Sequence, residues 1–282
     1  MEEIKKIVSI ISPKLLTKLL FYKNFKKRLN LRNPKDINEK IQYLKFNNYF
    51  NNEVITNCVD KYMVRKYLKK LDLDRLCPTL YGVYDNVNQI NWDILPEKFV
   101  IKCNHGSGMN IICLDKTKLD INETIKKLDF WMKTDFWKLY GEIHYKNINK
   151  KIIIEELLDE NILTYKFYCF NGNVKISYVS LNGENGEKEK YLDYFDKDWN
   201  RLNITLGKHE HYPGIIEKPI NYEEMIFLAE KLSKNFPFVR VDLYNLDGKI
   251  YFSELTFIPT GGMMQLKPEK TATEWGEWLY IN

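Results

Sequence analysis

The sequence predicts an α+β fold, with helices and antiparallel hairpins arranged in blocks. Three observations carry this expectation. Asn171-Gly172 and Asp247-Gly248 each separate two strand-like runs, which is the strongest short-range hairpin signal. Two further apolar runs, 99–103 and 110–114, are joined by a glycine-containing loop. The helical segments, with apolar residues three and four apart, do not alternate singly with strands as a doubly wound sheet requires.

Taken in order, residues 2–30 place Ile4, Ile7, Ile10, Ile11, Leu15, Leu16, Leu19 and Leu20 at helical spacing, interrupted at Pro13. Their apolar stripes are expected to pack on the body of the protein. The lysines between them are either solvated faces or a patch drawn to anionic lipid. A helix opens at Asp36 and runs to Asn47, and another opens at Asp60 and runs to Leu71. After Pro96 come the 99–114 hairpin, a helix over 120–140, and KIIIEELL (151–158) as a buried strand. A hairpin over 163–181, a polar loop over 182–190, a helix over 221–235 and a last hairpin over 237–257 complete the chain.

Composition sets bounds on function. The chain has 282 residues, 44% hydrophobic and 29% charged, enough to bury a sizeable core. With 43 basic and 38 acidic residues the net charge of +5 is too small to indicate nucleic acid, and no RNA-binding motif organises the 19 tyrosines. Cys58, Cys77, Cys103, Cys113 and Cys169 have neither metal-ligand nor redox spacing, as expected of free thiols in the cytoplasm. No apolar run reaches transmembrane length, and the first residues lack a signal-peptide pattern.

Two stretches point to chemistry. In FVIKCNHGSGMNII, Lys102 interrupts an apolar strand and is followed by His105, Gly106, Ser107 and Gly108. A lysine beside a loop rich in exposed N–H groups suits a polyphosphate, and equally suits a solvated lysine beside a flexible loop. It is not a P-loop, because no Lys-Ser or Lys-Thr follows the glycines. The second stretch is the last hairpin. Strand alternation puts Arg240 and Asp242 on one face, and Glu254 and Thr256 share a face on the partner strand. Paired carboxylates are hard ligands suited to Mg2+, and a surface ion pair is the plainer alternative. A two-residue turn at Asp247-Gly248 opposes Asp242 to Ser253, so a joint metal site calls for a three-residue turn reaching Lys249. Gly261 and Gly262 follow, as N–H donors to an oxyanion or as a simple turn.

Together these stretches resemble the TupA-like ATP-grasp family of the ATP-grasp superfamily. NPKDINEKIQYLK, DKYMVRKYL, LCPTLYGVYDN, LPEKFVIKCNHGSGMNII, KIIIEELL, YKFYCFNG and FVRVDLYNLDGKIYFSELTFIPTGG occur in the family's order and span about residues 33 to 264. The resemblance implies two α+β subdomains gripping ATP, with a helical N-terminal extension. The divisions expected are a helical region over 1–97, a lid subdomain over 98–156 and a catalytic, Mg2+-binding subdomain over 157–282.

The resemblance also implies roles. Lys102 and Lys61 would bind the ATP phosphates, and His105, Gly106, Ser107 and Gly108 would close over them. Glu155, Glu156 and Leu157 look like the hinge that meets adenine, largely through backbone. Lys166 belongs to the nucleotide-binding set, and Thr164 stands where an acidic ribose contact would be. Asp242, Glu254 and Thr256 match the Mg2+ ligands, with Thr256 in place of the superfamily's usual asparagine. Arg240, Lys102 and Gly261 are the catalytic set.

The implied activity is ATP-dependent carboxylate–amine ligation through an acyl phosphate, with ATP and Mg2+ as cofactors. The implied partners are a small-molecule or glycan-linked carboxylate and an amine, in surface polysaccharide, capsule or cell-wall polymer synthesis. Nucleic acid is not among them, and a weak peripheral membrane contact through the basic N-terminus is the remaining option. The alternatives are an ATP-grasp kinase acting on a hydroxyl and a non-catalytic nucleotide-binding assembly protein. A glycosyltransferase is the weaker alternative.

Overall fold

The computed structural model describes residues 2–160, 162–183 and 189–281. Its helices and strands, in chain order, are α1 (Glu2–Ile11), α2 (Pro13–Phe25), α3 (Ile37–Leu44), α4 (Glu53–Val59), α5 (Val64–Lys70), β1 (Leu80–Tyr84), β2 (Phe99–Cys103), β3 (Asn110–Cys113), α6 (Ile121–Lys133), α7 (Trp137–Tyr140), β4 (Ile152–Glu156), β5 (Thr164–Phe170), β6 (Asn173–Leu181), β7 (Tyr191–Phe195), β8 (Arg201–Leu202), β9 (Thr205–Leu206), α8 (Tyr222–Ser233), β10 (Phe238–Leu246), β11 (Lys249–Thr256), β12 (Leu266–Lys267) and α9 (Lys270–Trp278). The chain forms two compact units, Met1–Pro13 with Asn51–Asn161 and Lys14–Phe50 with Ile162–Asn282. The fold is α+β, as the sequence predicts.

The first unit is built on a four-stranded antiparallel sheet in the order β1-β4-β2-β3. Phe99, Ile101 and Cys103 of β2 and Ile152 and Ile154 of β4 are fully buried with Leu128 of α6. Alternation therefore sends Lys102 and Glu155 to the opposite sheet face. The helix expected over 120–140 is two helices. α6 is capped by Asp120, whose carboxylate accepts from Glu123 N, and ends before Thr134. The α7 turn then closes on Gly141 in the left-handed conformation.

The second unit is built on a six-stranded antiparallel sheet in the order β11-β10-β5-β6-β7-β8. Val239, Val241 and Leu243 of β10 and Phe167 and Cys169 of β5 are fully buried, as are Met225 and Ala229 on α8. α8 lies against β10, β5 and β6. The other face of β10 carries Arg240 and Asp242.

All three sequence-predicted hairpins form, and the two with Asn-Gly and Asp-Gly turns differ from expectation in a way that matters for the site. Each of these two turns is a tight two-residue one, with positive φ at Asn171 and Gly172 and at Asp247 and Gly248. In β10–β11, Leu246 opposes Lys249 and Leu243 opposes Phe252, yet Asp242 opposes Glu254. The extra residue is Ser253, so the one-residue offset lies within the strand and not in a three-residue turn. In β5–β6 a similar slip between Tyr168 and Cys169 brings Lys166 opposite Tyr178.

The N-terminal segment departs from expectation. α2 buries Leu16 and Phe21, but Ile4, Ile7, Ile10 and Ile11 of α1 and Leu15, Leu19 and Tyr22 of α2 are exposed. The helix expected from Asp36 begins at Ile37, where Asp36 caps Glu39 N, and its last turn widens into a π-helix over Lys45–Tyr49. The helix expected from Asp60 starts later, at Val64, because the Asp60 carboxylate ties down the N–H groups of Tyr62 and Met63 in a tight turn. Residues 184–188 of the loop expected over 182–190 lie outside the described residues. Among the described residues no helix is long and apolar enough to cross a membrane.

Candidate active site

The second sheet assembles one continuous row of side chains. Glu254 opposes Asp242, Asp242 opposes Lys166, Lys166 opposes Tyr178, and Tyr178 opposes Tyr194. Directly opposed residues share a sheet face, so the row presents two carboxylates, an ammonium and two phenols side by side. Arg240 lies on the same face, two residues from Asp242 and opposite Thr256.

Arg240 joins these groups. Its Nε donates to Asp242 Oδ1 at 2.6 Å and its Nη2 to Asp242 Oδ2 at 2.6 Å, a bidentate fork. Nη2 also reaches Glu254 Oε1 at 3.0 Å and Thr256 Oγ1 at 3.0 Å, and Nη1 donates to Tyr178 Oη at 3.3 Å. Thr256 Oγ1 donates to Glu254 Oε1 at 2.9 Å. The guanidinium lies 6.0 Å from the Tyr178 ring centre and Lys166 Nζ lies 5.3 Å from it. Lys166 Nζ also donates to Glu189 Oε1 at 3.0 Å.

Burial distinguishes the two carboxylates. The Asp242 side chain is 3% exposed and that of Glu254 is 40% exposed. Burial, with Glu254 beside it, pushes the Asp242 carboxyl up to about 6 against the pull of Arg240. Among the described residues no group of three or more His, Cys, Asp or Glu could hold a metal ion. Two facing carboxylates and the Thr256 hydroxyl nevertheless fit Mg2+, which takes few protein oxygens and completes its shell with phosphates and water.

In the first unit, Lys102 Nζ donates to Glu155 Oε2 at 2.7 Å and Arg65 Nη2 donates to Glu155 Oε1 at 2.6 Å. Glu155 is almost fully buried. Burial pushes its carboxyl up, but Lys102 and Arg65 outweigh burial and hold it below the usual range. The cation inside the strand thus has an anionic partner on the neighbouring strand. The side chain of Glu155 matters as well as its backbone, which pairs with Leu80 and Val100. Glu156 N donates to Thr79 O at 2.8 Å, and its carboxylate accepts from Thr79. Leu157 is the first residue beyond β4.

The glycine loop is anchored at its base. Asn104 exchanges hydrogen bonds with Lys151 and donates from Nδ2 to Asn149 O. His105 is buried, not solvated. Its Nε2 bonds Trp131 O at 3.1 Å and must carry the proton there, while Nδ1 has no hydrogen-bond partner. Burial lowers its pKa below the usual histidine value. Lys61 Nζ donates to Gly106 O at 2.5 Å. A Cβ on Gly106 would sit 2.9 Å from the Phe136 ring, so this close approach requires glycine. Ser107 and Gly108 are exposed at the tip.

Gly261 takes the turn alternative. Thr260, Gly261 and Gly262 all have positive φ, and Gly261 N donates to Ile258 O at 3.0 Å. Its N–H is therefore committed to the turn and not presented to an oxyanion, and its carbonyl accepts from Gln42 Nε2 at 2.8 Å. Immediately beyond the turn lies a cavity of about 530 Å³ within the second unit. Lys26, Lys27, Lys267 and Lys270 line it together with the carboxylates Asp36 and Glu269, and Lys27 Nζ donates to Asp36 Oδ2 at 2.5 Å.

The profile described as TupA-like ATPgrasp matches residues 39–280. The chain belongs to the TupA-like ATP-grasp family. No curated protein sequence matches it. Among solved structures, an L-amino acid ligase from Bacillus licheniformis is similar at 14% identity and a TM-score of 0.52, over 90% of this chain and 56% of that one. A D-alanine–D-alanine ligase from Bacillus anthracis is similar at 20% identity and a TM-score of 0.45, over 74% of this chain and 59% of that one. A second structure of that enzyme, complexed with ATP, gives 17% identity, a TM-score of 0.45 and coverage of 72% and 55%. This ATP-grasp chain spans under two thirds of the length of these structures. The family membership and the antiparallel sheets with their helical N-terminal segment agree with an ATP-grasp fold.

Three site residues escape sequence reasoning. Tyr178 and Glu189 flank Lys166, and Arg65 shares Glu155 with Lys102. Tyr178 follows from strand register only once the slip in β5–β6 is known. Arg65 and Glu155 are 90 residues apart, and no local pattern pairs them.

Proposed function

We propose that the chain is an ATP-dependent carboxylate–amine ligase. The observation that carries the reading is the Glu254–Asp242–Lys166 row with Arg240 forked onto Asp242. That face offers paired hard oxygens for a divalent cation next to two cations for phosphoryl oxygens, the combination phosphoryl transfer needs.

In this reading an oxygen of the acid attacks the γ-phosphorus of ATP and ADP leaves. An amine then attacks the acyl carbon, phosphate departs with that acid oxygen, and the amine loses a proton. Arg240 and Lys166 stabilise negative charge on the transferring group and on the tetrahedral intermediate. Asp242, Glu254 and Thr256 hold Mg2+, which when bound supplies charge neutralisation on the phosphates. Lys102, Lys61 and the Gly106–Gly108 loop hold phosphate oxygens, and the backbone of Leu157, past the sheet pairing of β4, meets adenine. His105 acts through loop shape, by way of Trp131 O.

The cavity beyond the Gly261-Gly262 turn, with four lysines against the carboxylates Asp36 and Glu269, keeps a net positive lining that supports an acidic substrate, a uronic acid or acidic amino acid of a surface polysaccharide or peptide polymer. Mass spectrometry of reactions containing ATP, Mg2+, uronic and amino acids and a panel of amines tests this. The expected products are an amide, ADP and phosphate in equal amounts. A phosphate ester with ADP and no free phosphate would establish the kinase reading instead.

A further inference from the structure

α1 is turned the wrong way round for a helix of a water-soluble body. Ser9 is fully buried and its hydroxyl has no hydrogen-bond partner, while Ile4, Ile7, Ile10 and Ile11 face outward. Lys5 Nζ lies 5.4 Å from the Tyr140 ring centre on the neighbouring α7. In α2, Leu16 and Phe21 are buried, and Leu15, Leu19 and Tyr22, spaced four and three apart, form a second outward stripe. These seven apolar side chains are between 48% and 76% exposed. Isolated exposed apolar residues need no explanation, but stripes at helical spacing on consecutive helices do.

Charge identifies what covers them. On α2, the helical positions of Lys14 and Lys18 fall on one side of the Leu15–Leu19–Tyr22 stripe and that of Lys23 on the other. The first 28 residues hold eight of the 43 basic residues and only two of the 38 acidic ones, so the whole excess of positive charge lies in this segment. An apolar stripe bordered by lysines matches the headgroup–acyl boundary of an anionic bilayer: the apolar side chains enter the acyl layer and the ammonium groups reach lipid phosphates. A second copy of the same face would set these lysines against one another.

We propose that α1 and α2 are an interfacial membrane anchor, each lying flat on an anionic bilayer through its outward stripe. This is independent of the ligase reading, because none of the stripe residues, nor Lys14, Lys18 or Lys23 beside them, belongs to the candidate active site.

The test uses the full chain and co-sedimentation with vesicles of phosphatidylcholine alone or of phosphatidylcholine with one third phosphatidylglycerol. The expected result is binding to the anionic vesicles only, weakened about tenfold or more when salt rises from 0.05 to 0.5 M. Ile7→Asp with Leu19→Asp should abolish binding, and Lys14→Glu with Lys18→Glu should weaken it about tenfold or more. These side chains are exposed, and an unchanged melting temperature confirms folding of each variant. With Tyr22→Trp, brominated lipid should quench the tryptophan in anionic vesicles. Equal affinity for both vesicle types, no binding to either, or undiminished binding of the Asp variant overturns the proposal. So does an oligomer in lipid-free solution that the Asp variant converts to monomer.

Discussion

Arg240 holds Asp242 with both edges of its guanidinium, Nε to Oδ1 and Nη2 to Oδ2, each at 2.6 Å. The pair is almost fully buried, whereas Glu254, on the same Nη2, is only half-buried. This separates two substitutions that sequence alone would treat as equivalent. Asp242→Ala leaves a buried guanidinium without the two acceptors that hold it and should destabilise the fold by about 3 kcal/mol. Glu254→Gln should change stability by less than about 1 kcal/mol and abolish ATP turnover, because it removes a proposed Mg2+ ligand and keeps the shape. Denaturant unfolding and ADP release on the two variants check this.

Nucleotide binding should depend on acid through Asp242. Its carboxyl is raised to about 6 by burial and by Glu254. Mg2+ requires the ionised form, so Mg2+-ATP affinity should fall about tenfold per pH unit below that value. The raised carboxyl also means the folded state binds this proton more tightly than the unfolded chain. Its contribution to stability is therefore full below the unfolded value and is lost as pH rises through about 6. Thermal shift with and without Mg2+-ATP between pH 5 and 8 should show the empty protein losing this contribution as the ligand-induced shift grows.

Lys102→Ala and Arg65→Ala should differ in kind. After Lys102→Ala, Arg65 still neutralises Glu155, so the fold should persist while ATP use falls at least about a hundredfold. Arg65→Ala also removes the bond to Pro78 O and should destabilise the first unit by about 3 kcal/mol. Glu155 is held below its usual range, so its contribution is present above the unfolded carboxylate value and is lost as pH falls through its folded one. Melting curves and ADP release separate the two effects.

The loop over 104–110, with two glycines, reads from the sequence as mobile before ATP binds, yet Met109 within it is buried in the core of the first unit. The hydrogen bonds of Asn104, His105 and Gly106 restrict that freedom to Ser107 and Gly108. Hydrogen exchange should show Asn104 and His105 amides protected without nucleotide and those of Ser107 and Gly108 slowed only by Mg2+-ATP. Gly106→Ala, which meets the Phe136 ring, should lose that slowing.

What could be read from the sequence follows from how far each signal reaches. Asn171-Gly172 and Asp247-Gly248 specify their turns locally, and alternation alone puts Arg240 and Asp242 together. The facing of Asp242 and Glu254 is also as the sequence requires for a site, but by another route. Ser253 supplies the offset inside the strand, and nothing in the local pattern marks a bulge there. Strands β1 and β7 present no alternating face, because β1 is partly exposed along its length and β7 is buried over four of its five residues. The sequence leaves the isoleucines of α1 between packing on the body and a membrane surface, since an apolar stripe fixes a helix face and not what that face meets.

The central claim is that ATP phosphorylates a carboxylate which an amine then captures. It is tested most directly by offering uronic and amino acids labelled with oxygen-18 in the carboxylate, together with Mg2+-ATP and the amine panel. The released phosphate is then weighed by mass spectrometry. The account predicts one acid-derived oxygen in every phosphate released, with one amide formed per ADP. Unlabelled phosphate, or ADP accompanied by a phosphate ester and no free phosphate, would contradict it.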